Sequence, residues 1–444
     1  MSEVMVAKAG GTSNADPAAV EKSLGWAEQS DIFVVSAPGK LDGSDTIHGK
    51  VTDMLLGAHA SYAAMGEISS HYMDAITERY AEIVQGLGGC PLPASWIDNI
   101  PARVLAAVRT GEDAASMLGE RLQAEVYESL GFTMIDPVKS PHLLGSDPEA
   151  WRGWLSEATH RGERYVLPGN TTVADNRLTT FSRGGSDTSG GLAAYAISAD
   201  LHINLTDHGA KSANPAHIDG ARLSDIPHML YEEGRELGRN GTGLLHPAAM
   251  IPLMTGDIPT EIRSTFDREA PFTRLDNDTG RAAQRAGSVL ALSLMENVTI
   301  HRVREPGMAE AVGRLATFEK ALANEGIPLI DAQGDGVDGQ KYFIGSDVSN
   351  RAHRILKDLA RTGRGTAETS DNVHLVTMVG YQLETRILDG IRGLIESSGI
   401  DTRAWQTQAH DISTGRHSLR ISATPDEAPG LLDNIHAAFI EDRD

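Results

Sequence analysis

The stretch VAKAGGTSNADP, residues 6–17, decides the reading of the fold. It runs an apolar segment into a lysine, Lys8, then into the paired glycines Gly10 and Gly11 and two hydroxyls, Thr12 and Ser13. Asp16 followed by Pro17 is a helix start, an acidic cap with proline at the first helical position. Val20, Leu24 and Ala27 continue at helical spacing as one apolar stripe. The order is therefore strand, glycine turn, helix. Such a turn presents backbone N–H groups at the positive end of a helix, here beside a lysine, and makes an anion cradle.

At 444 residues the chain exceeds one ordinary core, and two or three domains are expected. A net charge of −22 argues against a nucleic-acid or acidic-membrane surface, while leaving room for a small anion at a local cationic site. The single cysteine, Cys90, excludes an intrachain disulfide framework and a thiolate zinc cluster. The 16 histidines form no metal-ligand spacing, so no resident metal is expected. MSEVMV has no basic region leading into a long apolar core, and no uncharged run reaches membrane-spanning length. A cytoplasmic location without nucleic-acid or membrane partners is the expectation.

From Val4 to about Arg281, strands alternate with helices. DIFVVSAPG is a short β-branched run stopped by Pro38 and Gly39, and LHINLTD alternates apolar residues at Leu201, Ile203 and Leu205. VTDMLLGAHASYAAM and AASMLGERLQAEVYESLG are helical, the second closed by Gly131. This alternation predicts a largely parallel sheet with helices on both faces.

Beyond REAPFTRLDNDTGRAAQRAG the pattern changes to two similar units, each strand, helix, strand, strand, helix. The first runs ENVTIHRVR, MAEAVGRLATFEKALANEG, IPLIDAQ, GQKYFIG, SNRAHRILKDLARTG. The second runs NVHLVTMVG, LETRILDGIRGLIESSG, DTRAWQTQA, HSLRISATP, EAPGLLDNIHAAFIE. Small α+β units of this kind pair to share a sheet. Domains are expected at 1–283, 284–368 and 369–444, with SVLALSL ahead of both repeats and able to serve the second by strand exchange. GDGVDG, residues 334–339, lies between two strand-like runs and suits a hairpin better than a dinucleotide loop.

Chemistry concentrates in TTFSRGGSDTSGGLAAYAISAD. Between a strand and a helix of small residues stand Arg183, Gly184, Gly185, Ser186 and Asp187. The glycines let a ligand approach the backbone, and the Arg183 fork suits a carboxylate. An ordinary capped turn explains GGSD equally well on its own, and a lone lysine such as Lys8 is commonly just solvated. Ser36 ends a strand at the sheet edge where open α/β folds bind ligands. Glu112 stands at a helix start, where capping and ammonium binding are both open. Thr206 and Asp207 also end a strand and, alone, read as a turn.

KAGGTS, VVSAPGK followed by VTDMLL, GE at 111–112, FSRGGSD, TD at 206–207 and LLHPAAMIP occur in the order of the aspartate kinases, which the chain resembles along essentially its whole length. IPTEIRSTFDREAPFTRL is similar to the segment closing their catalytic domain, and the repeats beyond residue 285 resemble their paired ACT regulatory domains. The resemblance implies an amino acid kinase fold, three α/β/α layers on a mostly parallel sheet, followed by two C-terminal α+β ACT (ferredoxin-like) domains. It implies transfer of the γ-phosphoryl group of ATP, with Mg²⁺, to the side-chain carboxylate of aspartate. Lys8, Gly10, Gly11 and Thr12 are then expected at the phosphates, with Gly184, Gly185, Ser186, Thr206 and Asp207 also toward the nucleotide. Arg183 is expected on the α-carboxylate, Glu112 on the α-ammonium, Ser36 and Thr52 along the pocket, and Asp187 orienting the substrate. An amino-acid effector at the ACT domains, with REPGMAE at 304–310 as a candidate loop, and a homodimer complete the expectation.

The sequence departs from the family in one stretch. TDHGAKSANPAHID lacks the usual D-P-R arginine, and Ala216 or His217 falls at its place. Gly243 stands where many members have lysine, and Ala9 where phenylalanine is usual. Lys211 is a cation that could stand in near the phosphates. Two alternatives follow: a kinase of an aspartate analogue or another amino acid, and a decayed kinase that serves as an amino-acid sensor.

Overall fold

Strand β1 (Met5–Ala9) buries Val6, Ala7 and Ala9 completely, as a strand covered on both faces must. Around it the computed structural model describes residues 3–41, 49–137, 145–160, 162–174, 177–181, 184–239, 244–335, 338–383, 390, 393–394, 408–409 and 417–441. They divide into two compact units: residues 1–210, 225–235 and 243–279, and residues 211–224, 236–242 and 280–444.

In the first unit β1 is joined by β2 (Ile32–Val35), β3 (Thr133–Met134), β4 (Tyr165–Pro168), β7 (Leu201–Thr206), β8 (His228–Leu230), β9 (Thr260–Ser264) and β10 (Thr273–Asp276). A separate hairpin is formed by β5 (Thr171–Ala174) and β6 (Arg177–Thr180). The eight-stranded order is β3-β4-β2-β1-β7-β9-β10-β8, parallel from β3 through β9 and antiparallel only between β9 and β10. Parallel neighbours need crossovers, and helices supply them. Helices Pro17–Ala27, Ser70–Gly86 and Glu112–Ser129 cover one face, packing Val20, Ile83 and Tyr127 on Ala7, Phe33 and Val35. Helix Gly185–Ala196 lies against β1, β2 and β7, and helices Pro148–Ala158 and Pro247–Thr255 back it. Its run of Gly, Ser, Thr and Ala is what lets it come so close. The parallel strands β1, β2, β4 and β7 end at one edge, and their loops meet there.

Among the described residues the second unit has one six-stranded sheet. It contains β11 (Ala291–Arg304), β12 (Asp331–Gly334), β13 (Gly339–Gly345), β14 (Thr366–Val379), β15 (Gln408–Ala409) and β16 (Ser418–Ala423), in the order β12-β13-β11-β14-β16-β15. The two long strands pair antiparallel along their whole length, with register shifts at Met295/Val298 and Thr299/His301. Each serves two cores. Val303 packs with Phe318, Leu322, Tyr342 and Leu356 at one end, while Leu292 and Leu294 pack with Val376, Leu431 and Ile435 at the other. GDGVDG falls at the β12–β13 connection, and residues 336–337 within it lie outside the described residues.

Two expected elements differ. The helix expected from residue 308 begins only at Arg314, because Gly307 and Gly313 adopt left-handed backbone and residues 306–312 turn. Within IPLIDAQ the strand begins only at Asp331 and runs on to Gly334, with Ile327 dropping into the helix-covered core. Most of the expected helix LETRILDGIRGLIESSG and most of DTRAWQTQA lie outside the described residues. Among the described residues no helix is long and apolar enough to cross a membrane.

Candidate active site

The loop after β1 is fixed from below. Asn14 Nδ2 donates to the Gly10 carbonyl at 3.0 Å, and its Oδ1 accepts from Tyr127 Oη and Gln123 Nε2. Ser13 Oγ meets Thr265 Oγ1 at 2.7 Å. Asp16 caps the following helix, accepting from the Ala19 amide at 2.8 Å. The loop after β2 folds directly onto it. The Gly39 amide donates to the Gly11 carbonyl at 2.8 Å, and a Cβ on Gly39 would lie 2.5 Å from the Gly11 carbonyl carbon. Only glycine allows that approach. Buried Arg79 ties both loops, its Nη1 donating to the Gly39 and Ala15 carbonyls at 2.8 and 3.3 Å.

Beneath these loops Lys8 is 7% exposed, and its Nζ lies 2.5 Å from Asp187 Oδ1. Asp187 is in the first turn of helix Gly185–Ala196, where its Oδ2 accepts from the His246 amide at 3.0 Å. Burial alone would raise the Asp187 carboxyl; the Lys8 charge and hydrogen bond, with the His246 amide, hold it below its ordinary value. His202 lies next to this pair. A Cβ on Gly190 would stand 3.1 Å from His202 Nε2 and 3.3 Å from Lys8 Cβ, so glycine there lets the helix close over both without crowding them. Burial pushes His202 down to about 3, with Lys8 lowering it further and Asp187 opposing, so the ring is neutral. A second cation is thereby avoided next to Lys8.

A cleft of about 710 Å³ opens at the ends of the strands. Gly11, Thr12, Ser36, Thr52, Glu112, Gly184, Gly185 and Ser186 line it together with Lys40, Lys50, Ser116, Glu120 and Asn170. Ser36 Oγ donates to Ser186 Oγ at 2.7 Å, joining the β2 loop to the helix start. Asp113 accepts from Thr179 and Thr180 of the β5–β6 hairpin at 2.9 Å each, which leaves neighbouring Glu112 facing the cleft.

Not every residue expected in the site lines this cleft. The Gly10 amide is taken into the sheet, donating to the Leu205 carbonyl at 3.2 Å, so it is not available as a phosphate donor. Lys8 and Asp187 form the buried pair described above rather than the cleft surface. Thr206 donates to Asp207 Oδ1 at 2.7 Å, and neither lines the cleft. Arg183 and Gly243 lie outside the described residues. The stretch that lacks the arginine, with Lys211, Ala216 and His217, belongs to the second unit. There Ala213 and Ile218 enter the core of Leu292 and Leu431, and Ser212 Oγ meets His436 Nε2 at 2.9 Å.

Arg79, His202, Asn170 and Glu120 were not singled out from the sequence. Glu120 alone had a signal, falling four and eight residues after Ser116 and Glu112 on one helix face.

The sequence profile of the amino acid kinase family matches residues 3–264. The chain belongs to the amino acid kinase family. Aspartokinase 3 of Bacillus subtilis is 31% identical over 307 residues, a match spanning 62% of this chain and 65% of that relative. The likeness in fold extends further than the family profile. The aspartate kinase of Clostridium acetobutylicum superposes with a TM-score of 0.73 at 23% identity, covering 98% of this chain and 100% of that one. Escherichia coli aspartokinase III, solved with aspartate and ADP, superposes at 0.76 and 21%, covering 98% and 99%. This amino acid kinase thus carries the three-layer kinase fold and, in its second unit, an antiparallel α+β sheet of the ACT kind.

Proposed function

We propose that the protein is an ATP-dependent aspartate kinase, forming the acyl phosphate on the side-chain carboxylate. The observation that carries this is a buried lysine, Lys8, held by Asp187 behind a cleft lined by Gly11, Thr12, Ser36, Glu112 and Gly185. The named relatives and the neighbour solved with aspartate and ADP support the same reading.

A carboxylate is already a nucleophile, so the site needs no strong base. It must bring two anions together and offset the charge on the transferring group. One acceptor oxygen forms the new bond to the γ-phosphorus, the bond to the β–γ bridging oxygen breaks, and ADP leaves with that electron pair. In this reading Lys8 faces the phosphoryl oxygens, and Asp187 keeps its ammonium in place. Glu112 takes the α-ammonium, Arg183 the α-carboxylate, and Ser36 and Thr52 hold the acceptor. Lys40 and Lys50 add positive charge at the cleft. In this reading magnesium arrives as part of the nucleotide substrate.

Residues 284–368 and 369–444 are, in this reading, two ACT domains that bind an amino-acid effector, and the chain pairs as a homodimer. Incubation with Mg–ATP, hydroxylamine and a panel of amino-acid carboxylates tests the activity. Hydroxamate is expected with aspartate ahead of its analogues. A stronger preference for an analogue moves the acceptor, and no hydroxamate from any of them refutes the kinase reading.

A further inference from the structure

The inner end of the cleft holds a group to which the mechanism gives no role. Glu112, Ser116 and Glu120 form one stripe of the Glu112–Ser129 helix, about 12 Å long at the rise of an α-helix. Glu120 is 5% exposed and lines the cleft wall. Its carboxyl accepts from the backbone amides of Ala37 and of Glu120 itself, and among the described residues no cation is found acting on it. Oε2 is buried without any hydrogen-bond partner. An ionised carboxylate buried without a cation is costly, and so is a buried polar oxygen left unpaired. Both conditions occur here, in a residue of the cleft wall.

We propose that Glu120 is a specificity-determining residue of the acceptor subsite, its Oε2–H donating a hydrogen bond to a carboxylate oxygen of the bound acidic amino acid. This rests on the reading of the cleft as the site of a carboxylate-phosphorylating kinase. The surroundings supply the proton. Burial pushes the Glu120 carboxyl up to about 8, although the two amides favour its ionised form. A charged Glu120 would repel the acceptor, whereas the protonated acid binds it. Ala37, whose amide holds the other side of the carboxyl, follows Ser36 directly, so the donor stands beside the residue expected to hold the acceptor.

The hydroxamate assay on Glu120→Gln and Glu120→Leu tests this. Glutamine keeps a donor of the same shape, and leucine keeps the volume without it. E120L is expected to raise the KM for aspartate about tenfold or more, the effect of one lost buried hydrogen bond, with the KM for Mg–ATP unchanged. E120Q is expected to stay within about threefold of the wild type, since its amide still donates. In the wild type the KM for aspartate rises above about pH 8 as Glu120 ionises, and in E120Q that rise is absent. An unchanged aspartate KM in E120L, or the same alkaline rise in E120Q, overturns the proposal.

Thermal unfolding separates this from a structural role. E120L also leaves the Ala37 amide without its acceptor and is expected to unfold below the wild type. E120Q keeps an acceptor there and is expected to unfold at the wild-type midpoint or higher, so a marked fall in E120Q counts against the proposal. Should the wild type form no hydroxamate from any acidic amino acid, the kinase reading fails by itself. Glu120 is then judged by calorimetric titration of aspartate into the wild type and E120L. Weaker binding to E120L supports the assignment; equal binding, or none to either, ends it.

Discussion

Lys8 and Asp187 meet at 2.5 Å on the face of β1 that the Gly185–Ala196 helix covers. Neither charge could be buried there alone. The pairing explains how the central strand of a tightly packed sheet carries a lysine, and it brings the two most distinctive motifs of the chain to one point. Asp187→Asn keeps the shape and removes the charge that holds Lys8. A destabilisation of about 3 kcal/mol is expected, the usual cost of leaving one buried charge of a pair uncompensated. Chemical denaturation measures it, and an unchanged midpoint would mean that the pair contributes nothing to the fold.

His202 sets an acid limit on stability. Its folded value lies near 3, below the ordinary histidine value of about 6.5 in the unfolded chain. Above that value both states are neutral and the ring adds no pH dependence. Below it the unfolded chain takes up a proton that the folded chain refuses, so stability falls as pH drops toward 3. Asp187 adds to this at lower pH, its depressed carboxyl giving stability that is present above about 3.9 and lost as pH falls through the folded value. Relative to the wild type, His202→Gln is expected to gain on the order of 1 kcal/mol per pH unit between pH 6 and 4, and nothing above pH 7. Parallel denaturation curves across that range would contradict the neutral buried ring.

Glu120 acts with the opposite sign. Its folded value of about 8 lies above the unfolded carboxylate, so between about 4.5 and 8 the unfolded chain releases a proton that the folded chain keeps. Stability is lost as pH rises through that window. The advantage of E120Q over the wild type should therefore grow from pH 5 to pH 8. A constant difference would show that Glu120 is ionised in the folded protein.

Gly39→Ala tests the contact between the two loops. The added methyl would sit 2.5 Å from the Gly11 carbonyl carbon, so one loop must move. Overpacking of this kind costs about 1–3 kcal/mol, and here it also displaces Gly11 and Thr12 in the cleft. A rise in the KM for Mg–ATP larger than that for aspartate is expected in the hydroxamate assay, and equal wild-type constants would place the nucleotide elsewhere.

The strand, glycine turn and helix of residues 6–17 were legible because each part is a local signal: an apolar run, paired glycines, and an acidic cap before proline. The Ser349–Thr362 and Ala428–Phe439 helices were legible in the same way. What stayed hidden depends on distant parts of the chain. Nothing near Glu120 says that its carboxyl is buried, and nothing near Arg79 says that it reaches carbonyls of two loops. The length of β11 was underestimated because Glu296 and Asn297 interrupt its apolar pattern at the register shift, while Ala291–Met295 continue the pairing. The stretch after Asp207 read as an altered nucleotide loop. Its Ala213 and Ile218 also serve the core of the second unit, a constraint no local pattern carries.

The most direct measurement is the hydroxamate rate of Lys8→Ala at saturating Mg–ATP and aspartate, beside a thermal unfolding curve. Removing one preorganised charge from the transferring group should lower kcat by about 10²–10³-fold in a protein that still unfolds cooperatively. A folded variant that turns over at the wild-type rate would contradict the assignment of Lys8, and with it the account of the site.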